Sequence, residues 1–252
     1  MDLDLKGKRA IVTGGSRGIG KVIARQLAEE GVDVVIAARD KERLQRAAAE
    51  LSTATGRRVI GAVVETRSKA SVDALVQLTV EELGGVDILV NNAAVPGGVS
   101  NAARLADLVD DDILHDIDVK VVGYLRTARA VAPHLIAQGW GRIINIGGLA
   151  ARRAGRPIAT LRNVGVSALT KNLADELGPK GINVVAVHPG ATRTERTDPS
   201  AEAALAASVS IARIVDASEV AWIVAFLASP RSVAINGETI PVGGGSLGAI
   251  YY

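Results

Sequence analysis

Thr13-Gly14-Gly15-Ser16-Arg17-Gly18-Ile19-Gly20 stands between an apolar run, Ala10-Ile11-Val12, and an amphipathic run that carries Val22, Ile23 and Leu27. Strand, glycine turn and helix is the setting in which a glycine pattern reads as a dinucleotide site. Glycine lets the backbone turn tightly and lets a pyrophosphate come close to it. The start of the helix then offers free N–H groups and a positive dipole end to the phosphates. Without a ligand the same residues would be a plain glycine-rich turn between strand and helix. The spacing is T-G-x-x-x-G-x-G and not G-x-G-x-x-G.

Outward from this turn the alternation repeats. Short β-branched runs predict strands at 10–12, 33–37, 58–63, 87–90, 142–146, 183–187 and 238–241. Longer amphipathic runs predict helices near 18–30, 40–54, 69–83, 111–138, 158–178 and 218–228. Strands separated by helices build right-handed βαβ units. The expected fold is therefore α/β: a single domain over residues 1–252, with a Rossmann-like doubly wound parallel sheet of about seven strands and helices on both faces. In such sheets the ligand sits beyond the carboxyl ends of the strands. Residues 192–208, polar and then alanine-rich, predict a surface loop and short helix placed as a lid.

Composition agrees with this frame and excludes several functions. Hydrophobic residues make up 48% of the 252, aromatics only 2%, so Ala, Val, Leu and Ile must build the core. That suits helices packed closely on a parallel sheet. The absence of cysteine excludes disulfides and thiolate chemistry. A net charge of +2 without a basic run argues against nucleic acid as a partner. Residues 1–8 are charged, and no run approaches membrane-spanning length, so the expectation is a soluble, cytoplasmic protein without a membrane partner. His115, His134 and His188 lack metal-ligand spacing and read as packing residues, so no metal is expected.

The end of the second predicted strand bears on cofactor choice. An NAD site places a carboxylate about 20 residues beyond the glycine loop, on the ribose hydroxyl. Here Val34-Val35-Ile36-Ala37 leads into Ala38-Arg39-Asp40. Arg39, with Arg17 in the loop, would suit a 2′-phosphate, because guanidinium binds phosphate bidentately. NADP(H) is expected over NAD(H). Arg39 also reads as a solvated residue at a helix start, and Asp40 as that helix's N-cap.

Further motifs give the chain a family likeness. Asn91-Asn92-Ala93-Ala94 follows the fourth predicted strand, His188-Pro189-Gly190 with Thr194 follows the sixth, and Asn236-Gly237 and Val242-Gly243-Gly244 surround the last. With the glycine loop, these resemble the short-chain dehydrogenase/reductase family, whose fourth strand ends in N-N-A-G. The resemblance covers nearly the whole chain. It implies that Glu65 stands where the family's adenine-contacting Asp does, and that Thr194 meets the nicotinamide carboxamide. It also implies a cofactor-binding set of Gly14, Ser16, Arg17, Gly18, Ile19, Gly20, Arg39, Glu65, Asn91, Ala93, Pro189, Gly190 and Thr194.

The likeness fails at the family's four catalytic side chains. That chemistry uses a Tyr as proton donor or acceptor and a Lys four residues later. It also uses a Ser about thirteen residues before the Tyr, and an Asn on the preceding long helix. Arg142-Ile143-Ile144-Asn145-Ile146-Gly147-Gly148 resembles the family's fifth strand, with Gly148 at the Ser position. Leu161 then stands for Tyr, Gly165 for Lys and Lys120 for Asn. No shift of register restores them: no Tyr lies between Tyr124 and Tyr251, and no Ser between Ser100 and Ser167. Leu161 has no proton to give and Gly148 no hydroxyl. The expectation is a dinucleotide-binding protein with weak or no hydride transfer. The alternatives are an oxidoreductase with substituted groups, or a non-redox enzyme using Lys120, Asp118 or arginines as acid–base groups.

Two readings of Lys120 stay open. It refills the space left at Gly165 and meets the nicotinamide ribose, or it pairs with Asp116 or another nearby acid. Arg152, Arg153, Arg162, Asn163, Arg193, Glu195 and Arg196 line the same cleft by position; they suit an anionic ligand or an ordinary solvated loop. The resemblance also implies dimers or a homotetramer assembled through the helices near 111–138 and 158–178. Val119, Val122 and Leu125 offer an apolar stripe that equally reads as core. The tail, ending in Ile250-Tyr251-Tyr252, is expected to pack on a neighbouring subunit or near its cleft.

Overall fold

The structure is a computed structural model describing residues 1–95 and 97–247. Its central sheet has seven parallel strands in the order β3-β2-β1-β4-β5-β6-β9. They are β1 (Arg9–Thr13), β2 (Asp33–Ala38), β3 (Val59–Val63), β4 (Ile88–Asn91), β5 (Gly141–Ile146), β6 (Ile182–Pro189) and β9 (Thr239–Val242). The helices connecting them are α1 (Gly18–Glu29), α2 (Lys41–Thr55), α3 (Lys69–Leu83), α4 (Asp110–Ile117), α5 (Gly123–Gln138), α6 (Pro157–Leu177) and α8 (Ala217–Ala228). The expected doubly wound architecture is present. The order reverses between β1 and β4, which opens a crevice at their carboxyl ends.

Alternation along each strand divides the core in two. Ala10, Val12, Val34, Ile36, Ile88, Val90 and Ile144 face one layer, where Ile23 and Leu27 of α1, Leu44 of α2 and Val224 of α8 meet them. Ile11, Val35, Leu89, Ile143 and Val184 face the other, under Leu75 of α3, Val131 and Leu135 of α5 and Leu177 of α6. Burying one such side chain is worth about 1.5–3 kcal/mol, which fixes register on both faces. Caps mark the helix ends: the Asp40 carboxylate accepts from the Arg43 N–H at 3.0 Å, as expected, and Gly56 closes α2 at φ +67°.

Two segments differ from expectation. The helix expected over 111–138 is α4 and α5 joined through a π turn at Asp118–Val122. The wider turn changes which side chains face inward, and Val119 and Lys120 are buried within the protein. Val119 therefore belongs to the interior and not to an exposed stripe. Residues 192–208 do hold a loop and a short helix, α7 (Pro199–Ala206). They also hold β7 (Thr192–Arg193), which pairs in parallel with β8 (Val215–Asp216). Among the described residues no helix is long and apolar enough to cross a membrane. The expectation for the C-terminal tail concerns residues 247–252, of which Leu247 is exposed and 248–252 lie outside the described residues.

Candidate functional site

The crevice beyond β1 and β4 continues into a cleft of about 730 Å³. Its first half is the glycine turn. Gly14 and Gly18 hold φ of +67° and +56°, where an L side chain is strained. A Cβ on Gly20 would stand 2.3 Å from the Asn92 amide nitrogen and 2.4 Å from the Gly14 carbonyl oxygen, so only glycine fits there. Asn92 and Thr13 clasp the turn. The Asn92 Nδ2 donates to the carbonyls of Thr13 and Gly14 at 3.1 and 3.2 Å. The Thr13 hydroxyl accepts from the Asn92 and Ala93 N–H groups at 2.9 and 3.1 Å. The loop is thus held from β4, with its backbone bare toward the cleft.

At the start of α1 the Gly18 N–H donates to the Glu195 carboxylate at 3.0 Å. Glu195 belongs to the loop within residues 192–208, so a carboxylate from that loop sits at the anion-binding end of the helix. Arg196 beside it lines the cleft. Arg17, Arg39 and Arg43 line the far end, and neither Arg17 nor Arg39 forms an ion pair among the described residues. Ala37 and Ala38 close the end of β2, and Asp40 is engaged as a cap, so no carboxylate is placed for a ribose diol. Glu65 lines the cleft and accepts from the Arg67 N–H at 3.1 Å. The glycine cradle, with one N–H held by Glu195, and the two guanidiniums without an ion pair among the described residues fit a phosphorylated dinucleotide.

Of the expected cofactor-binding residues, Gly14, Ser16, Arg17, Gly18, Ile19, Arg39, Glu65, Ala93, Pro189 and Gly190 come together along this cleft. Three stand differently. Gly20 makes room for Asn92. The Asn91 side chain is buried, donating to Asn145 Oδ1 at 3.0 Å and accepting from the Thr127 hydroxyl at 2.6 Å; Asn92 takes the cleft wall instead. The Thr194 hydroxyl accepts from the Arg196 N–H at 3.3 Å inside the lid turn.

The second half of the cleft, beyond β5, carries Lys120, Ile146, Gly147 and Arg162. Lys120 is buried. Its Nζ donates to the Gly147 carbonyl at 3.0 Å and to Asn163 Oδ1 at 2.9 Å. It pairs with no carboxylate: Asp116 instead binds Arg162 at 3.1 Å and the Val99 N–H at 3.3 Å. Of the two open readings of Lys120, the ion pair with Asp116 is not formed among the described residues. Burial, with the nearby Arg162 charge, lowers the Lys120 pKa to about 7. Burial, then Lys120 and Arg152, lowers that of His188 to about 4. His188 packs its ring against Gly147, as the packing reading expects, with Nε2 3.4 Å from the Ser167 hydroxyl.

At the other positions where the resemblance expects catalytic side chains, Gly148 is extended and a Cβ there would approach the Asn163 amide at 3.3 Å. Leu161 is half exposed on α6. The space above Gly165 is closed, because a Cβ there would stand 3.0 Å from Val121 Cγ2. Val121 lies next to Lys120 in the π turn, which therefore puts an isopropyl group over Gly165 and an amine into the cleft. The arginines expected in this region also divide. Arg162 is a buried ion-pair member, Arg193 binds Glu202 and Asp216 at the base of the lid, and Arg153 donates to the Ser246 hydroxyl at 2.7 Å. Arg162 is the buried one of the three; Arg153 and Arg193 are solvent-accessible and held by these partners. Sequence separation hid Glu195 on Gly18 and Asp116 on Arg162, since neither pair is local. Among the described residues no group of three or more His, Asp or Glu is placed to hold a metal.

Comparison with known proteins gives consistent matches. The family model described as short chain dehydrogenase matches residues 8–204. The 3-oxoacyl-[acyl-carrier-protein] reductase FabG of Vibrio cholerae is 34% identical over 248 residues, covering 96% of this chain and 98% of the relative. The crystal structure of L-sorbose reductase from Gluconobacter frateurii, complexed with NADPH and L-sorbose, superposes with a TM-score of 0.92 at 31% identity, covering 99% and 100% of the two chains. A short chain dehydrogenase from Burkholderia cenocepacia in complex with NADP gives 0.85 at 37% identity, covering 96% and 98%.

Proposed function

The chain belongs to the short-chain dehydrogenase/reductase family, and we propose that within it this protein binds NADP(H) but lacks the proton relay of ordinary hydride transfer. One observation carries this reading. A glycine cradle clasped by Thr13 and Asn92 shares its cleft with Lys120, and the positions where the resemblance expects the other catalytic side chains are Gly148, Leu161 and Gly165. When bound, the dinucleotide supplies hydride chemistry at its nicotinamide end.

The residues of this chain divide the work of holding it. Gly14, Ser16, Gly18 and Ile19 receive the pyrophosphate, which takes the Gly18 N–H from Glu195. Arg17 and Arg39 receive the 2′-phosphate, as two unpaired guanidiniums at the end of β2 suit an extra phosphate. Glu65 borders the adenine end; Ala93, Pro189 and Gly190 border the nicotinamide half. Asn91 and Thr194 act from behind the wall, as braces of β4 and of the lid turn. The known complexes of relatives with NADPH and NADP favour the same cofactor.

Loss of a positioned general acid costs roughly 10²–10⁴ in rate, about 3–5 kcal/mol, and the missing hydroxyl at Gly148 adds to it. Carbonyl reduction by the family's usual route is absent or slow. A second reading, catalysis in this cleft by substituted groups, is favoured by the Lys120 amine alone. The protein works in the cytoplasm as a homo-oligomer, to which α6 contributes the exposed Leu161 and Val164. Parallel titrations with NADPH and NADH, followed by a panel of carbonyl and alcohol substrates, test the assignment. Tight NADPH binding without consumption is expected. Turnover at a rate usual for an enzyme would overturn the loss of mechanism, and equal affinity for NADH would overturn the cofactor preference.

A further inference from the structure

Lys120 is a primary amine in an unusual setting. It is buried, yet it lines the cleft beside Gly147 and Arg162. The acceptors of its two hydrogen bonds, the Gly147 carbonyl and Asn163 Oδ1, are both neutral. The orientation of the Asn163 amide is fixed, because its Nδ2 donates to the Ala159 carbonyl at 2.8 Å and leaves Oδ1 to accept. Two acceptors match the two hydrogens of a neutral amine and leave its lone pair over. An ammonium would carry a third proton with no carboxylate to receive it. Asp116 on α4 is engaged by Arg162 and by Val99, and Asp118 is held by Arg126 at 2.7 Å. The other charged or titratable groups facing the amine are Arg162 on α6, a cation, and His188 on β6, itself buried and held neutral near pH 7. A desolvated lysine beside another cation is the arrangement that makes an amine nucleophilic near neutral pH.

We propose that Lys120 is a carbonyl-capturing amine, forming an imine with small aldehydes or ketones that enter the cleft. The Nζ lone pair forms a bond to the carbonyl carbon while the C=O π bond breaks. The oxygen takes a proton released from Nζ. The resulting carbinolamine then loses its hydroxyl and the last N–H hydrogen together as water, leaving C=N. No oxidant or reductant is needed. The Tyr and Ser that would make the carbonyl a hydride acceptor are absent, so capture by the amine is the chemistry left at this end. The proposal concerns the cleft without dinucleotide and does not depend on NADP(H) binding.

Reductive trapping tests it on the full chain, with propanal and sodium cyanoborohydride at pH 7 and no dinucleotide. Peptide mapping then compares Lys120 with exposed Lys41 in the same sample. An ordinary lysine is neutral in only about one molecule in several hundred to a few thousand at this pH, whereas an amine with a pKa near 7 is about half neutral. Allowing for its lower intrinsic basicity and its burial, Lys120 is expected to gain a propyl group at least about ten-fold faster than Lys41. The advantage should disappear in the urea-unfolded chain. Arg162→Gln, which removes a cation and frees Asp116, should shift the advantage to higher pH. Labelling of Lys120 no faster than that of Lys41 would overturn the proposal, as would an advantage that survives unfolding. NADPH titration of the untreated protein reads the cofactor assignment separately, so failure of one leaves the other standing.

Discussion

The turn after β1 and the turn after β5 are both glycine-containing exits from central strands of one sheet, and they are built in opposite ways. After β1, every glycine that borders the cradle is required by its surroundings. Gly14 and Gly18 hold left-handed φ, and Gly20 leaves no room for a Cβ beside Asn92. After β5, Gly147 likewise leaves no room for a Cβ beside the His188 ring, but Gly148 is extended and needs no special conformation, and on α6 Gly165 lies under Val121. The first region is constrained by backbone geometry that any dinucleotide-binding loop would need. In the second, positions 148 and 165 carry glycine without a left-handed backbone to require it. A cofactor cradle can therefore remain intact while the reacting end changes its chemistry, because the two share a cleft but few contacts.

The strongest way to break this contrast is to rebuild the second region. Gly148→Ser, Leu161→Tyr and Gly165→Lys in one protein, with Val121→Ala to open the space above Gly165, should raise NADPH-dependent carbonyl reduction by roughly 10²–10⁴. Initial rates by NADPH absorbance measure it. A rebuilt protein as inert as the parent, while still binding NADPH, would show that the difference lies beyond these positions. The reverse test is Gly20→Ala. Its methyl would meet the Gly14 carbonyl and the Asn92 amide at less than contact distance, so the loop must move. A loss of about 1–3 kcal/mol in stability and loss of NADPH binding are expected from denaturant melts and titration. Unchanged binding would show that the cradle is less rigid than its geometry requires.

These residues also mark what the sequence could reveal. The strand-turn-helix repeat gave the sheet because period and punctuation are local properties. The absences at 148, 161 and 165 were equally legible, since a missing Tyr or Ser needs no coordinates. The contacts that replace them were not. Val121 closes over Gly165 from 44 positions away. Asp116 chooses Arg162 over Lys120, four residues along its own helical path, because the π turn redirects the lysine inward. Asn91, expected at the cofactor, turns into the interior while Asn92 takes the cleft wall, because successive residues leaving a strand face opposite sides.

Burial of basic groups in the second region gives a smaller, pH-dependent effect. The folded Lys120 pKa of about 7 lies below its value of about 10.4 in the unfolded chain. Between these values the unfolded state binds more protons, so stability rises with pH from about 7 to 10. His188, at about 4 against 6.5, adds a rise from about pH 4 to 6.5. Lys120→Met should remove the upper rise, read from urea midpoints across pH. A variant with the same upper slope as the parent would mean that Lys120 is not buried as an amine.

The smallest expected effect sharpens the comparison at the edge of the first region. Glu195 reaches from the lid to the Gly18 N–H, where the cradle receives a phosphate oxygen. A carboxylate there gains a charge-assisted hydrogen bond and the helix dipole, together about 0.5–1 kcal/mol at a partly exposed site. A dinucleotide must displace it, so this interaction opposes binding and couples the lid to occupancy of the cleft. Glu195→Gln keeps the shape but lowers the charge, and should tighten NADPH binding by about two- to five-fold. It should also steepen the fall of that binding with ionic strength, since removing one anion from beside the phosphates strengthens a net attraction that salt screens. Titrations at low and high salt separate this from a general loosening of the lid. Loosening would change affinity equally at both, whereas a competing carboxylate matters most at low salt. If Glu195→Gln instead weakens binding, the carboxylate is part of the closed, cofactor-holding lid, and the constraint that distinguishes the first region extends into residues 192–208.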